Sequence, residues 1–153
     1  MKEESGRLDG RLAWSRLPGS SPGVVFLPGF RSDMRGSKAL ALRDHCAATG
    51  RALLRFDYSG HGESAGRFED GTIGQWAADA VAVFDALTAG PQILIGSSMG
   101  GWIALLLARA RPERVAGLIG IAPAPDFTDK LMWPAFTEAQ RAEIMARGVL
   151  HLP

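Results

Sequence analysis

The stretch Gln92 to Trp102, QILIGSSMGGW, decides how the chain is read. Gln92–Gly96 is a short apolar run rich in β-branched residues, as a buried strand should be. Met99–Ala110 is apolar almost all round, which predicts a helix buried between a sheet and other layers. Between them lies Gly96-Ser97-Ser98-Met99-Gly100, a G-x-S-x-G pattern at a strand-to-helix turn. Such a turn holds the central serine in a strained conformation with its hydroxyl above the sheet edge. Glycine two residues before and two after avoids side-chain clashes. Ser98 is therefore the candidate nucleophile and Ser97 a structural neighbour. The following helix points its positive end toward the site, so the Met99 amide is a candidate oxyanion donor. The plainer alternative is a Gly/Ser turn that packs a helix onto a sheet.

The pattern repeats outward. Arg7–Leu17 predicts an edge strand or hairpin, Val24–Leu27, Ala52–Phe56 and Val115–Ile121 predict further strands, and Ser37–Thr49 a helix ended by Gly50. A second helix begins at Thr72, with capping-box spacing to Gln75, and stops at Gly90-Pro91. Strands alternating with helices imply a doubly wound, mostly parallel α/β sheet. Ligands meet such sheets at the C-terminal ends of the strands, and Pro28-Gly29-Phe30 leaves the first parallel strand there. The Phe30 amide is the second oxyanion candidate.

Length and composition exclude other classes. The 153 residues allow one modest domain; 17 basic residues nearly match 16 acidic ones, leaving a net charge of +1 and no case for nucleic acid. No apolar run approaches the roughly 20 residues of a membrane span. The polar N-terminus lacks the core of a secretory signal, so a cytoplasmic location is expected. No metal-ligand spacing or phosphate loop occurs, and no cofactor is expected. Cys46 is lone and reads as a small core residue.

The segments FLPGFRSDMRGSKA (26–39), RFDYSGHGES (55–64), GPQILIGSSMGGW (90–102) and RPERVAGLIGIAPAPDF (111–127) together resemble the α/β-hydrolase family. The fit is nearest the branch holding acyl-glucuronide esterases and palmitoyl-protein thioesterases. The resemblance implies a cofactor-free serine hydrolase of esters or thioesters, with Ser98 as nucleophile and Phe30 and Met99 as oxyanion donors. It assigns residues 1–125 to the N-terminal part of the hydrolase core and 126–153 to the start of a lid. The family's acid and histidine follow later strands, in the order serine, acid, histidine. Complete members run to roughly 200–250 residues or more. The chain thus resembles the N-terminal part of a hydrolase, with little activity expected of it alone.

Internal substitutes are few. Asp126 follows the fourth parallel strand, where some lipases place the acid, but also reads as a turn residue. His151 has the right order but no strand to fix it. His61 and Asp57 read as structuring residues of the DYSGHGES loop, and His45 as a helix-surface or packing residue. Arg31 and Arg35 are solvated loop residues or attractors of an anionic substrate. Leu131, Met132, Trp133 and Phe136 suit an acyl pocket or lid packing equally. Trp14, Trp76 and Trp102 read as packing residues. A non-catalytic chain or interaction module is the alternative, and acyl transfer a third possibility. A serine at the elbow argues against carboxylate-nucleophile chemistry. Substrate details and oligomeric state stay open.

Overall fold

The computed structural model describes residues 2–153. Six strands form one sheet in the order β1-β2-β4-β3-β5-β6. Their ranges are β1 Glu4–Leu8, β2 Leu12–Leu17, β3 Ser20–Leu27, β4 Arg51–Phe56, β5 Gln92–Ser97 and β6 Val115–Ile121. β4, β3, β5 and β6 run parallel, and β1 and β2 are antiparallel additions at one edge. The α/β reading therefore holds. The first segment is a hairpin: Asp9 and Gly10 both take positive φ, which a two-residue Asp-Gly turn requires.

Three helices make the crossovers: α1 Ser37–Thr49, α2 Ile73–Leu87 and α3 Met99–Ala110. Period-two alternation sorts the strand residues onto two faces. Val25, Leu27, Leu54, Phe56 and Leu94 pack with Val83, Phe84, Ile103 and Leu107 of α2 and α3. Val24, Phe26, Leu53 and Ile95 pack with Ala39 and Cys46 of α1. Cys46 is buried, as expected, and that burial pushes its thiol up.

The caps follow sequence chemistry. The Thr72 hydroxyl accepts from the Gln75 amide, but the Gln75 side chain donates to Asp79 instead of closing the box. Gly50 ends α1 with φ 69°. A bidentate Arg111–Asp85 pair, 3.0 and 2.7 Å, ties the end of α3 to α2.

Beyond β6 the chain makes an irregular helical turn over Thr128–Met132, the three-residue α4 Trp133–Ala135, and α5 Glu138–Arg147. Thr137 and Gln140 form a complete capping box, and Gly148 terminates α5. None of these elements buries a residue.

At one edge apolar surface stays uncovered, and the expected burial of α3 is incomplete there. β6 pairs only with β5 among the described residues, and its Leu118 and Ile119 are 37% and 52% exposed. Leu105 of α3 is 47% exposed. Periodicity marks these residues as apolar, but burial needs a neighbour on each side. An unpaired, apolar edge strand is a template for association. Ile119→Lys is expected to suppress concentration-dependent light scattering while changing stability by less than about 0.5 kcal/mol, because the side chain is already largely solvated.

Candidate active site

Ser98 has φ 55° and ψ −119°, backbone that L-residues rarely adopt. It sits between the last residue of β5 and the first of α3, at the C-terminal edge of the sheet. Three hydrogen bonds fix it. Its amide donates to Ile121 O at 3.0 Å, and its carbonyl accepts from Gly101 N at 2.9 Å and Ala124 N at 3.0 Å. Gly96 and Gly100 at this turn are sterically required. A Cβ on Gly96 would overlap the Gly100 carbonyl, and one on Gly100 would overlap the Leu27 carbonyl. Gly101 is a third, which the G-x-S-x-G pattern does not cover: a Cβ there would meet Pro123 at 2.6 Å.

The loop after β3 lies against this turn. A Cβ on Gly29 would stand 3.3 Å from Ser97 O and 3.5 Å from Ser98 Cβ. The Phe30 and Met99 amides have no protein acceptor among the described residues. Arg31, Ala122 and Asp126 also take positive φ, so most of the non-glycine residues with such backbone gather at this sheet edge.

The loop after β4 holds the loop after β3 in place. The Tyr58 hydroxyl donates to Pro28 O at 2.9 Å. His61 Nε2 accepts from the Arg31 amide at 3.2 Å, and Nδ1 lies 3.1 Å from Ser59 O. A neutral imidazole protonated on Nδ1 satisfies both contacts. Asp57 takes the Met34 amide on Oδ1 at 2.8 Å and the Glu63 amide on Oδ2 at 2.9 Å. Asp79 of α2 accepts from both the amide and hydroxyl of Ser59, and Trp76 Nε1 donates to Ser59 O. The loop-structuring reading of His61 and Asp57 thus has a specific form. Tyr58 and Asp79 belong to the same framework but carry no motif. Nothing local in the sequence marks either of them.

Burial pushes the Asp57 carboxyl up, and the Glu63 and Met34 amides only partly offset it. Burial, then the nearby Asp79, pushes the Tyr58 hydroxyl well above its ordinary range.

Aromatic rings surround Phe30. It meets Phe68, Phe127 and Trp76 edge-on, with centroids 5.0, 5.8 and 6.1 Å away, and Phe127 also meets Trp102 at 5.8 Å. Arg31 extends over Phe68, and Arg35 pairs with Glu63 at 3.3 Å. Leu131 and Trp133 are exposed. So are His45, His151 and Asp126, and the Asp126 carbonyl caps the following turn by accepting from Asp129 and Lys130. Among the described residues no histidine nitrogen hydrogen-bonds Ser98. No cluster of three or more His, Cys, Asp or Glu capable of holding a metal occurs among them. No helix among the described residues is long and apolar enough to cross a membrane.

The family model described as "Serine aminopeptidase, S33" (Hydrolase_4) matches residues 21–151. The chain belongs to the α/β-hydrolase family. The human palmitoyl-protein thioesterase ABHD10, mitochondrial, is 46% identical over 142 residues, covering 93% of this chain and 46% of that protein. The mouse α/β-hydrolase domain-containing protein 10 structure superposes with a TM-score of 0.87 and 41% identity, over 100% of this chain and 62% of that one. A hydrolase structure from Agrobacterium vitis S4 gives 0.91 and 39%, over 98% and 64%. This chain spans about half the length of the curated relatives it matches.

The relatives correct one expectation. The human, bovine and orangutan proteins are mitochondrial, which overturns the cytoplasmic location. The inference rested on the lack of an apolar secretory core, but mitochondrial targeting uses amphipathic, arginine-rich segments that need no such core.

Two substitutions test this framework. Ala in place of Gly normally favours a helix by about 1 kcal/mol. At Gly100 the clash with Leu27 O reverses the sign, so Gly100→Ala is expected to destabilise the fold by about 3 kcal/mol or more in denaturant titrations. Asp57→Asn leaves one of two amides without its acceptor and should cost about 1–3 kcal/mol. A raised folded-state pKa gives stability that is full below the ordinary aspartate range and lost as pH rises through the raised value. Asn at 57 should flatten that part of the stability–pH curve, read by thermal unfolding across the acid range.

Proposed function

We propose that the protein supplies the nucleophile and oxyanion hole of a serine hydrolase acting on carboxylic esters or thioesters. The observation that carries this reading is the positive-φ backbone of Ser98, fixed beside two unpartnered amides at the sheet edge. Ser98 Oγ attacks the substrate carbonyl and passes its proton to a base. The tetrahedral oxyanion is received by the amides of Phe30 and Met99. Collapse expels the alcohol or thiol and leaves an acyl group on Ser98, which water then hydrolyses to the free acid. The thioesterase names of the relatives support a thioester among the substrates. The exposed Phe30 ring, with the half-buried rings of Phe68 and Phe127 against it, suits an apolar substituent. Residues 126–153, none of them buried, are the start of a lid in this reading, and 1–125 the core.

A second reading, a non-catalytic chain, draws on a specific observation. Neither Asp126 nor any histidine is brought to Ser98 Oγ by a described contact. A serine without its base is a weak nucleophile at neutral pH. In a serine protease, losing the histidine costs on the order of 10⁶ in kcat and leaves roughly 10³–10⁴ over water. The 153-residue chain is therefore expected to acylate slowly and to turn over very little.

Incubation with p-nitrophenyl acetate followed by intact mass and peptide mapping separates the readings. The expected result is one acetyl group on Ser98, absent from Ser98→Ala, with a nitrophenol release that stops near one equivalent. No adduct on Ser98 under conditions where the chain is folded would favour the non-catalytic reading. Sustained turnover abolished by Ser98→Ala would show that the base lies within this chain.

A further inference from the structure

A charged residue that the strand pattern conceals is Arg55. It lies in β4 among apolar neighbours and is 4% exposed. It faces the α1 side of the sheet, beside Ser15 of β2. Burying a guanidinium costs several kcal/mol unless its N–H groups find partners. Nη1 donates to Met34 O, and Nη2 to the Glu3 carboxylate and to Ser15 Oγ. Nε is buried and has no partner among the described residues.

Arg55 lines a cavity of about 780 Å³, within the range of small-ligand sites. Ser98, Gly29 and Phe30 take no part in it. Arg7 and Arg43 stand on its rim, with Leu40 and Met34 as apolar wall. Arg43 is engaged by Asp44, whereas Arg7 forms no ion pair among the described residues. The Nε–Nη2 edge of a guanidinium is one that carboxylates and phosphates grip side-on with two parallel hydrogen bonds. Here Nη2 is shared by one Glu3 oxygen and Ser15 Oγ, while Nε beside it has no partner among the described residues. Burial pushes the Glu3 carboxyl up, but the hydrogen bonds from Arg55 and Ser15 outweigh it and the net displacement is downward. Glu3 is thus an ionised stand-in, its side chain 28% exposed against 5% for that of Arg55.

We infer that this cavity binds a small oxyanion, a carboxylate or phosphate on a partly apolar body, which takes the Nε–Nη2 edge of Arg55 in place of Glu3 and draws further on Arg7. The site is separate from the ester-binding edge and does not depend on the proposed chemistry of Ser98.

The test is an NMR titration of the chain with benzoate, phenyl phosphate and inorganic phosphate, following the Arg55 Nε–H and Ser15 amide signals against sodium chloride at matched ionic strength. Saturable shifts are expected with at least one of the three. Phenyl phosphate binding better than benzoate points to phosphate as the group, and the reverse order to carboxylate. Glu3→Gln removes the competing charge and should tighten binding about threefold to tenfold, a difference of about 0.7–1.4 kcal/mol. Arg7→Gln should weaken it several-fold without moving the unfolding midpoint. Replacing Arg55 would also remove hydrogen bonds that support the fold, so the Glu3 and Arg7 variants carry the test. Shifts that never saturate, that chloride reproduces, or that Glu3→Gln leaves unchanged would overturn the inference.

Discussion

A single backbone conformation organises this molecule. Ser98 is forced to φ 55° where β5 gives way to α3. Strain of this kind costs on the order of 1–3 kcal/mol and persists only where the surroundings impose it. The surroundings here are dense. β3, β5 and α3 approach so closely at the turn that Gly96 and Gly100 have no room for a Cβ. The exit of β6 closes the other side through Ile121 and Ala124. The core packing of α3 through Ile103, Ala104 and Leu107 anchors the helix that makes this approach possible. Sheet order, helix burial and serine geometry are therefore one constraint seen at three scales.

The second layer of organisation is polar. A donor-bearing loop at a sheet edge has no intrinsic reason to stay in place. The loop after β4 supplies one, through Tyr58 to Pro28, His61 to Arg31 and Asp57 to Met34. Asp79 and Trp76 then fasten that loop to α2. These groups are buried with partners, which is the condition for a polar network to stiffen a site and not weaken it. Phe30 is held by its neighbours on both sides while its own amide stays free.

Much of this was legible in the sequence. The alternating apolar runs gave the parallel sheet, and glycines at 96 and 100 around Ser98 marked the tight strand-to-helix turn. Asp57 and His61 could be recognised as loop residues because turn chemistry marks them. Other parts were not legible. Tyr58 and Asp79 act through contacts twenty or more residues away, for which no local period exists. Arg55 is hidden inside a strand whose pattern reads as core. Leu105 lies in a helix that reads as buried because apolarity was visible, while the absence of a neighbour beside β6 among the described residues is a tertiary fact. The compartment was misread because a missing secretory core says nothing about other addresses.

The central claim is that Ser98 and the amides of Phe30 and Met99 form one pre-assembled site. A crystal structure of the chain after reaction with a fluorophosphonate tests it most directly. The account predicts phosphonylation of Ser98 alone, with the phosphoryl oxygen within about 3 Å of both amides and the loop from Pro28 to Met34 unmoved. A folded chain modified at another residue would contradict it. So would an adduct whose oxygen turns away from both amides.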